Sequence, residues 1–449
     1  MPELDMLVRG GTVVTPTGVK NADIGIADGR IVALESALQA TSHEVIEAKG
    51  LHVLPGLIDA HVHFNEPGRA EWEGFETGTK AFAAGGGTLF FDMPLNAHPP
   101  TVDVESFDLK LEAAKSKALV DFSFWGGLVP GNLDRLEELA DRGVVGFKAF
   151  MSNSGIEDFQ SVDDHTLREG MKRAKKLGKL VAVHAESDAM TEELSRKYVS
   201  AGKTSIRDYL DSRPIEAELE AIQRALGLAG ETGCALHIVH VSCGAGVLLI
   251  ASAKKLGLDV TCETCPHYLT LTEEDVIRLG AVAKCAPPLR PLAAQDSLWE
   301  YVKAGHVTTI GSDHSPAPPT MKLNSDFFKV WGGISGVQHT WPLLITEGHV
   351  KRRVALELLS RFVSVNVAER FKLPQAKKGM MVGSDADLAL VDLQQEFTIG
   401  GTDLLYRHQQ SPYVGRTVKG QVVQTVLRGQ SVFKDGKIVS KPVGQFVKV

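Results

Sequence analysis

Leu57-Ile58-Asp59-Ala60-His61-Val62-His63 is a short apolar run that ends in two histidines two residues apart. Side chains of a strand alternate between its faces, so His61 and His63 lie on the same side. Seven more apolar runs follow, at 88–93, 120–126, 144–150, 179–184, 235–241, 258–262 and 307–312. Between them stand segments such as Val104 to Lys117, Asp163 to Leu177 and Ile215 to Leu228, whose apolar residues recur at three and four, as on one face of a helix. Eight strand-then-helix units between residues 55 and 373 predict an α/β protein built on a parallel (β/α)8, TIM-like barrel. A doubly wound open sheet is the alternative.

The chain ends read differently. Residues 1–54 carry short strands such as Thr12-Val13-Val14 and Ile24-Gly25-Ile26, separated by turn formers at Gly10-Gly11, Pro16-Thr17-Gly18 and Asp28-Gly29. Residues 374–449 repeat the pattern, with turns at Arg428-Gly429 and Asp435-Gly436. A few short strands are marginal in water alone. The two ends are therefore expected to pack as one small composite β-sandwich, with the barrel of residues 55–373 inserted between them.

Composition narrows the function classes. Of 449 residues, 43% are hydrophobic and 23% charged, with a net charge of −7. A mildly acidic chain without a basic run argues against nucleic acid or an anionic membrane as partner. No window approaches the roughly 20 apolar residues of a membrane span. Met1-Pro2-Glu3-Leu4-Asp5 has acids where a signal peptide needs a basic stretch. Five cysteines scattered through a long chain do not resemble a disulfide framework. A globular, cytoplasmic protein acting on a small molecule is expected.

The chemistry gathers at strand ends, where barrels of this kind carry their active sites. Lys148 lies near the end of the fourth run, His184 ends the fifth, His240 the sixth, and Asp313 follows the eighth. His237 is the other histidine of the sixth run. Neutral imidazole and carboxylate oxygen suit zinc and similar divalent ions. Four histidines and one aspartate bring little negative charge to two cations. Lys148 supplies a remedy: burial lowers a lysine pKa, and the neutral amine can add carbon dioxide to give a carbamate. Such a group can bridge two metals about 3.5–4 Å apart. A buried stem whose amine reaches an interior acid is the other reading of Lys148.

These residues, across essentially the whole chain, resemble the cyclic amidohydrolases, the branch of the amidohydrolase superfamily that holds dihydroorotases, hydantoinases (dihydropyrimidinases) and allantoinases. The resemblance implies that His61, His63 and Asp313 hold one metal, that His184 and His240 hold the other, and that N-carboxylated Lys148 bridges them. It implies zinc first, with cobalt, nickel or manganese as alternatives, and a homotetramer. Asn65 stands where dihydroorotases carry an arginine for the substrate carboxylate. Asn153 stands where hydantoinases carry a tyrosine. Glu66-Pro67-Gly68-Arg69, Trp72-Glu73-Gly74, Met93-Pro94-Leu95-Asn96, Cys265-Pro266-His267-Tyr268 and Trp331-Gly332-Gly333-Ile334 resemble the allantoinase subgroup.

The activity implied is hydrolysis of the ring amide of (S)-allantoin to allantoate, with Asp313 as base and then acid. Asn153, Ser154, Ala286, Gly332 and Gly333 are the candidates for orienting the ring, mostly through backbone groups, and His314 is a further substrate-contact candidate. Ala286 departs from the serine of many relatives. A hydantoinase-type cyclic amidase and a non-catalytic assembly protein of the same fold are the alternatives. The latter relatives lose metal ligands, which this chain keeps. Cys262-Glu263-Thr264-Cys265 has redox spacing but no second pair, and Gly85-Gly86-Gly87 reads as a helix stop. His98 and His267 are weaker candidates, and His339, His349 and His408 read as structural or solvated.

Overall fold

The computed structural model describes residues 3–449, so Met1 and Pro2 of the acidic amino-terminal stretch lie outside the described residues. Parallel strands occur at Leu57–Val62, Gly87–Asp92, Asp121–Phe124 with Gly126–Gly127, Phe147–Phe150, Val181–His184, Leu236–Ile238, Val260–Thr264 and Thr309–Ile310. Each pairs in parallel with the next. The third breaks at Trp125, whose indole N–H donates to the Ala60 carbonyl at 2.9 Å. The eighth is shorter than the apolar run suggests. Gly311 N–H turns to the Thr264 carbonyl, and Ser312 N–H to the buried Asp59 carboxylate at 3.1 Å. That turn returns the chain to the first strand, where Val62 bridges His314 and His63 N–H donates to the His314 carbonyl at 2.8 Å.

The helices between strands follow their capping chemistry. Asp103 caps Val104–Lys115: its carboxylate accepts Ser106 N–H at 2.8 Å, and the Ser106 hydroxyl reciprocates. Asp163 caps Asp164–Lys176 by accepting Thr166 N–H at 2.7 Å, without the reciprocal bond. That helix buries Leu167, Gly170, Met171 and Ala174, the three-and-four spacing that turns one face inward. Ile215–Thr232 ends at Gly233, whose φ of 67° lets the chain leave in the left-handed conformation. No described helix is long and apolar enough to cross a membrane.

Both chain ends enter one nine-stranded sheet. Its seam is the antiparallel pairing of His52–Pro55 with Leu388–Thr398, with Leu390 opposite Val53. Met6, Val8, Ile24, Ile26, Val53, Leu388, Leu390 and Val426 form its core. The last residues leave this sheet. Gly444 N–H bonds to the Ala118 carbonyl and Val447 N–H to that of Phe122 at 2.8 Å, while Phe446 packs among Phe107, Phe122 and Phe124.

A buried ion cluster fastens the terminal segment to the third parallel strand. Asp121 accepts from Lys377 at 2.7 Å and from Gln445 N–H at 2.9 Å, and pairs with Arg428. Lys377 also meets Asp387 at 2.7 Å and Asp385 at 3.0 Å. Burial pushes the Lys377 amine down, but Asp387 and Asp121 outweigh it and hold it above its ordinary value. Lys377→Met leaves these carboxylates without their shared cation. It is expected to cost about 3–5 kcal/mol of stability in chemical denaturation. An unchanged midpoint would mean that Arg428 carries the junction alone.

Candidate metal centre and ring cavity

The two histidines of the first strand meet the aspartate that follows the eighth. Asp313 Oδ1 lies 3.2 Å from His61 Nε2 and 3.4 Å from His63 Nε2. Ligand atoms of the three residues lie within 4.8 Å of one another, close enough to hold one metal ion. Each outward nitrogen is fixed by a partner behind the ring. His61 Nδ1 faces Glu263 at 2.7 Å, and His63 Nδ1 faces the Asn96 amide at 3.3 Å. Burial lowers His61 to about 4, so its imidazole is neutral at pH 7. Burial works against the Asp313 carboxylate, yet His61, His63 and His240 hold it well below the usual range.

A second pair converges beside the first. His184 Nδ1 lies 3.0 Å from His240 Nε2, and the His61 and His240 ring centroids are 5.5 Å apart. His184 Nε2 meets Glu186 at 2.8 Å, which leaves Nδ1 for the cavity. Burial raises the Glu186 carboxyl, but Arg213 and His184 together hold it down at about 2. His240 and Asp313 both have positive φ, 41° and 45°. Such backbone is uncommon outside glycine and clusters at functional sites. His237 points elsewhere: its Nδ1 meets Thr261 Oγ1 at 2.7 Å and its ring packs on Phe371.

Lys148 lies beneath these rings, fully buried. Its amine has no hydrogen-bond partner among the described residues, so the reading in which it reaches an interior acid does not hold. Burial lowers it to about 7, well into the range where neutral amine is present. An unpaired buried cation is costly. An orphaned amine amid four imidazoles and a carboxylate fits a bridging carbamate and two divalent ions.

Above this floor opens a cavity of about 420 Å³. His61, His63, His184, His240, Asp313, Asn153, Ser154, Ala286, Gly332 and Gly333 all line it. The Asn153 and Ser154 side chains are occupied within their own loop, on Gly155 N–H at 2.8 Å and on the Phe159 carbonyl at 2.5 Å. Gly333 has a φ of 138°, and a Cβ there would sit 2.2 Å from the Ser315 carbonyl oxygen.

His314 is corrected as a direct contact. It does not line the cavity: its ring is buried against Phe64 and Tyr406, and its Nδ1 accepts Gly336 N–H at 3.1 Å. The turn that aims Asp313 inward aims its neighbour away. Asn65 is also buried off the cavity, donating to the Pro316 carbonyl at 3.3 Å.

The sequence carries no sign of a role for Glu186, Arg213 or Lys284, and brings in Asn96, Trp331 and Glu263 only as members of short strings. Glu263 lies on Val260–Thr264 just past the apolar run assigned to that strand, and an acid at a strand end was a usable signal. Arg213 comes from the short connection between helices and has no local signature. Glu186→Gln is expected to weaken metal binding about 10–100-fold, as loss of a carboxylate behind a ligating histidine does. A metal titration measures it, and unchanged affinity would reduce Glu186 to a partner of Arg213.

The amidohydrolase family model matches residues 52–432. An allantoinase of Rubrobacter xylanophilus is 58% identical over 100% of this chain and 98% of its own length. One of Deinococcus radiodurans is 52% identical over 99% of both. Among solved structures, the L-hydantoinase (dihydropyrimidinase) of Arthrobacter aurescens superposes with a TM-score of 0.97 at 35% identity, over 99% of this chain and 100% of that one. The dihydropyrimidinase of Brevibacillus agri gives 0.91 at 34% identity, over 99% and 98%.

Proposed function

This chain belongs to the amidohydrolase family, and from that premise we propose that it hydrolyses the ring amide of (S)-allantoin to give allantoate. The observation that carries the reading is the convergence of His61, His63, His184, His240 and Asp313 near the unpartnered Lys148 amine, at the floor of a cavity with room for a small ring. The fold reading that goes with it is a closed (β/α)8 barrel over 55–373 and a composite β-sandwich domain from 1–54 and 374–449. The full-length likeness to allantoinases supports the ring chosen.

His61, His63 and Asp313 would hold one divalent ion, His184 and His240 the other, and carboxylated Lys148 both, with zinc as first choice. When bound, such ions polarise a carbonyl and lower the pKa of water from 15.7 to about 7. The chain's own residues do the rest. Asp313, ionised at neutral pH, takes a proton from the attacking water and returns it to the ring nitrogen that leaves. Ala286 and Gly332 offer backbone groups to the ring's polar edge, and Asn153 its carbonyl, whereas the N–H and carbonyl of Gly333 are engaged by Lys284 and Lys322.

The cations along the cavity are already engaged. Arg213 pairs with Glu186, Lys284 donates to three backbone carbonyls, and Lys329 lies 3.4 Å from Asp326. A neutral ring with a ureido arm suits such a cavity better than a substrate carboxylate does. The family likeness also supports a homotetramer in the cytoplasm.

Metal-loaded protein is to be offered allantoin, hydantoin, dihydrouracil and dihydroorotate side by side. Allantoin is expected to be preferred in kcat/KM by about 100-fold or more, because a site built to pair polar groups rejects rings that lack them. A preference for hydantoin or dihydrouracil would keep the chemistry and replace the substrate.

A further inference from the structure

The wall of the cavity at residues 327–333 is held by two buried lysines, Lys284 at the cavity lining and Lys322 off it. Lys284 and Lys322 are 4% and 8% exposed, and among the described residues neither forms a salt bridge with a carboxylate. Lys284 Nζ donates to the carbonyls of Phe327 at 2.6 Å, Phe328 at 3.3 Å and Val330 at 2.5 Å. Lys322 Nζ donates to those of Trp331 and Gly333, both at 2.8 Å. Gly333 N–H closes the arrangement on the Lys284 carbonyl at 2.7 Å.

Burying an ammonium group without a counter-charge is costly, and backbone carbonyl dipoles offset that cost only if several converge. Here five carbonyls of one short loop do so. The arrangement has a geometric consequence. The C=O and N–H of a planar trans peptide point in opposite directions. With the Trp331 carbonyl turned onto Lys322, Gly332 N–H faces away from the lysine. It has no acceptor among the described residues, on a residue that lines the cavity. Trp331 Nε1, on the same wall, is likewise buried without a partner. Trp331 is braced from the other side by the Trp72 ring, 5.0 Å away. Lys322 thus takes up the Trp331 and Gly333 carbonyls and leaves Gly332 N–H at the cavity. The N–H groups of Phe328 and Lys329 are tied to Asp326 and that of Trp331 to the Met321 carbonyl, so Lys284 anchors the loop without freeing a donor.

We propose that Lys322, on the loop that Lys284 anchors, is a positioning residue that sets the polarity of the substrate-binding wall, holding the Trp331 carbonyl so that Gly332 N–H and the Trp331 indole N–H are left to meet the carbonyl oxygens of the bound ring. The proposal rests on the ring-hydrolysis reading and adds how the wall recognises its ligand. Neither lysine touches the reacting atoms. Their loss should be felt in binding more than in turnover.

The test compares Lys322→Met and Lys322→Arg with the unaltered, metal-loaded protein, using whichever ring the latter hydrolyses. Lys322→Met is expected to raise KM about tenfold, more than it lowers kcat, at unchanged metal content. Lys322→Arg, which keeps a donor for the carbonyls, is expected to fall between. Trp331 supplies a readout independent of activity: loosening the wall from Trp72 shifts its emission, and the shift disappears in a Trp331→Phe background. If Lys322→Met fails to fold, Lys322→Arg carries both readouts. Should the unaltered protein hydrolyse no ring, the functional reading fails while the emission still decides the positioning role. An unchanged KM with unchanged emission, or a lowered melting temperature with KM intact, overturns the proposal.

Discussion

Asp313→Asn is expected to lower allantoin turnover about a thousandfold, within the range that a positioned acid–base group contributes. The side chain keeps its shape, so the cavity survives. What changes is the proton. Asp313 sits 3.2 Å from His61 and 3.4 Å from His63, and its neighbours keep it ionised. An amide cannot take a proton at that position or return one to the leaving nitrogen. Turnover and metal content must be measured on the same sample, because the substitution also weakens one metal position. Near-normal turnover with metal bound would assign the proton to another group.

Lys148→Met is expected to abolish turnover, to below about a thousandth of the unaltered rate, by removing the side chain proposed to bridge the two metal positions. Its effect on folding should be the opposite of its effect on function. The amine has no hydrogen bond to lose, and methionine replaces a buried stem of similar length with an uncharged one. Thermal stability without metal should therefore be equal or higher, while bound metal falls. Metal-stripped protein gives a companion result: reconstitution of the unaltered chain should be faster with bicarbonate present, and Lys148→Met should be indifferent to it. A Lys148→Met protein that keeps its metal and its rate would remove the carbamate from the mechanism.

The centre was legible because strand geometry is simple. His61 and His63 share a face by period two, and Lys148 and His184 each interrupt or end an apolar run, whereas the sixth run offers both His237 and His240 and the family resemblance chooses between them. His314 shows where that logic stops. Adjacency to Asp313 suggested a shared site, but the φ of 45° at Asp313 is set by the turn through Gly311 and Ser312, and it sends the next side chain behind the wall. Lys284 and Lys322 were illegible for a different reason. Their partners are backbone carbonyls some tens of residues away for Lys284 and about ten for Lys322, and carbonyls carry no sequence signature.

At the chain ends, the short strands and their turns were plain, and so was the expectation that the two pieces meet. The return of Gly444–Val447 to the third parallel strand was not. That contact depends on Phe446 finding Phe107, Phe122 and Phe124, a long-range aromatic match with no local periodicity.

The most direct measurement counts divalent ions per chain and follows allantoate release on one purified sample. About two ions per chain and complete conversion of one allantoin enantiomer to allantoate are expected. Fully metal-loaded protein that leaves allantoin intact would contradict the assignment.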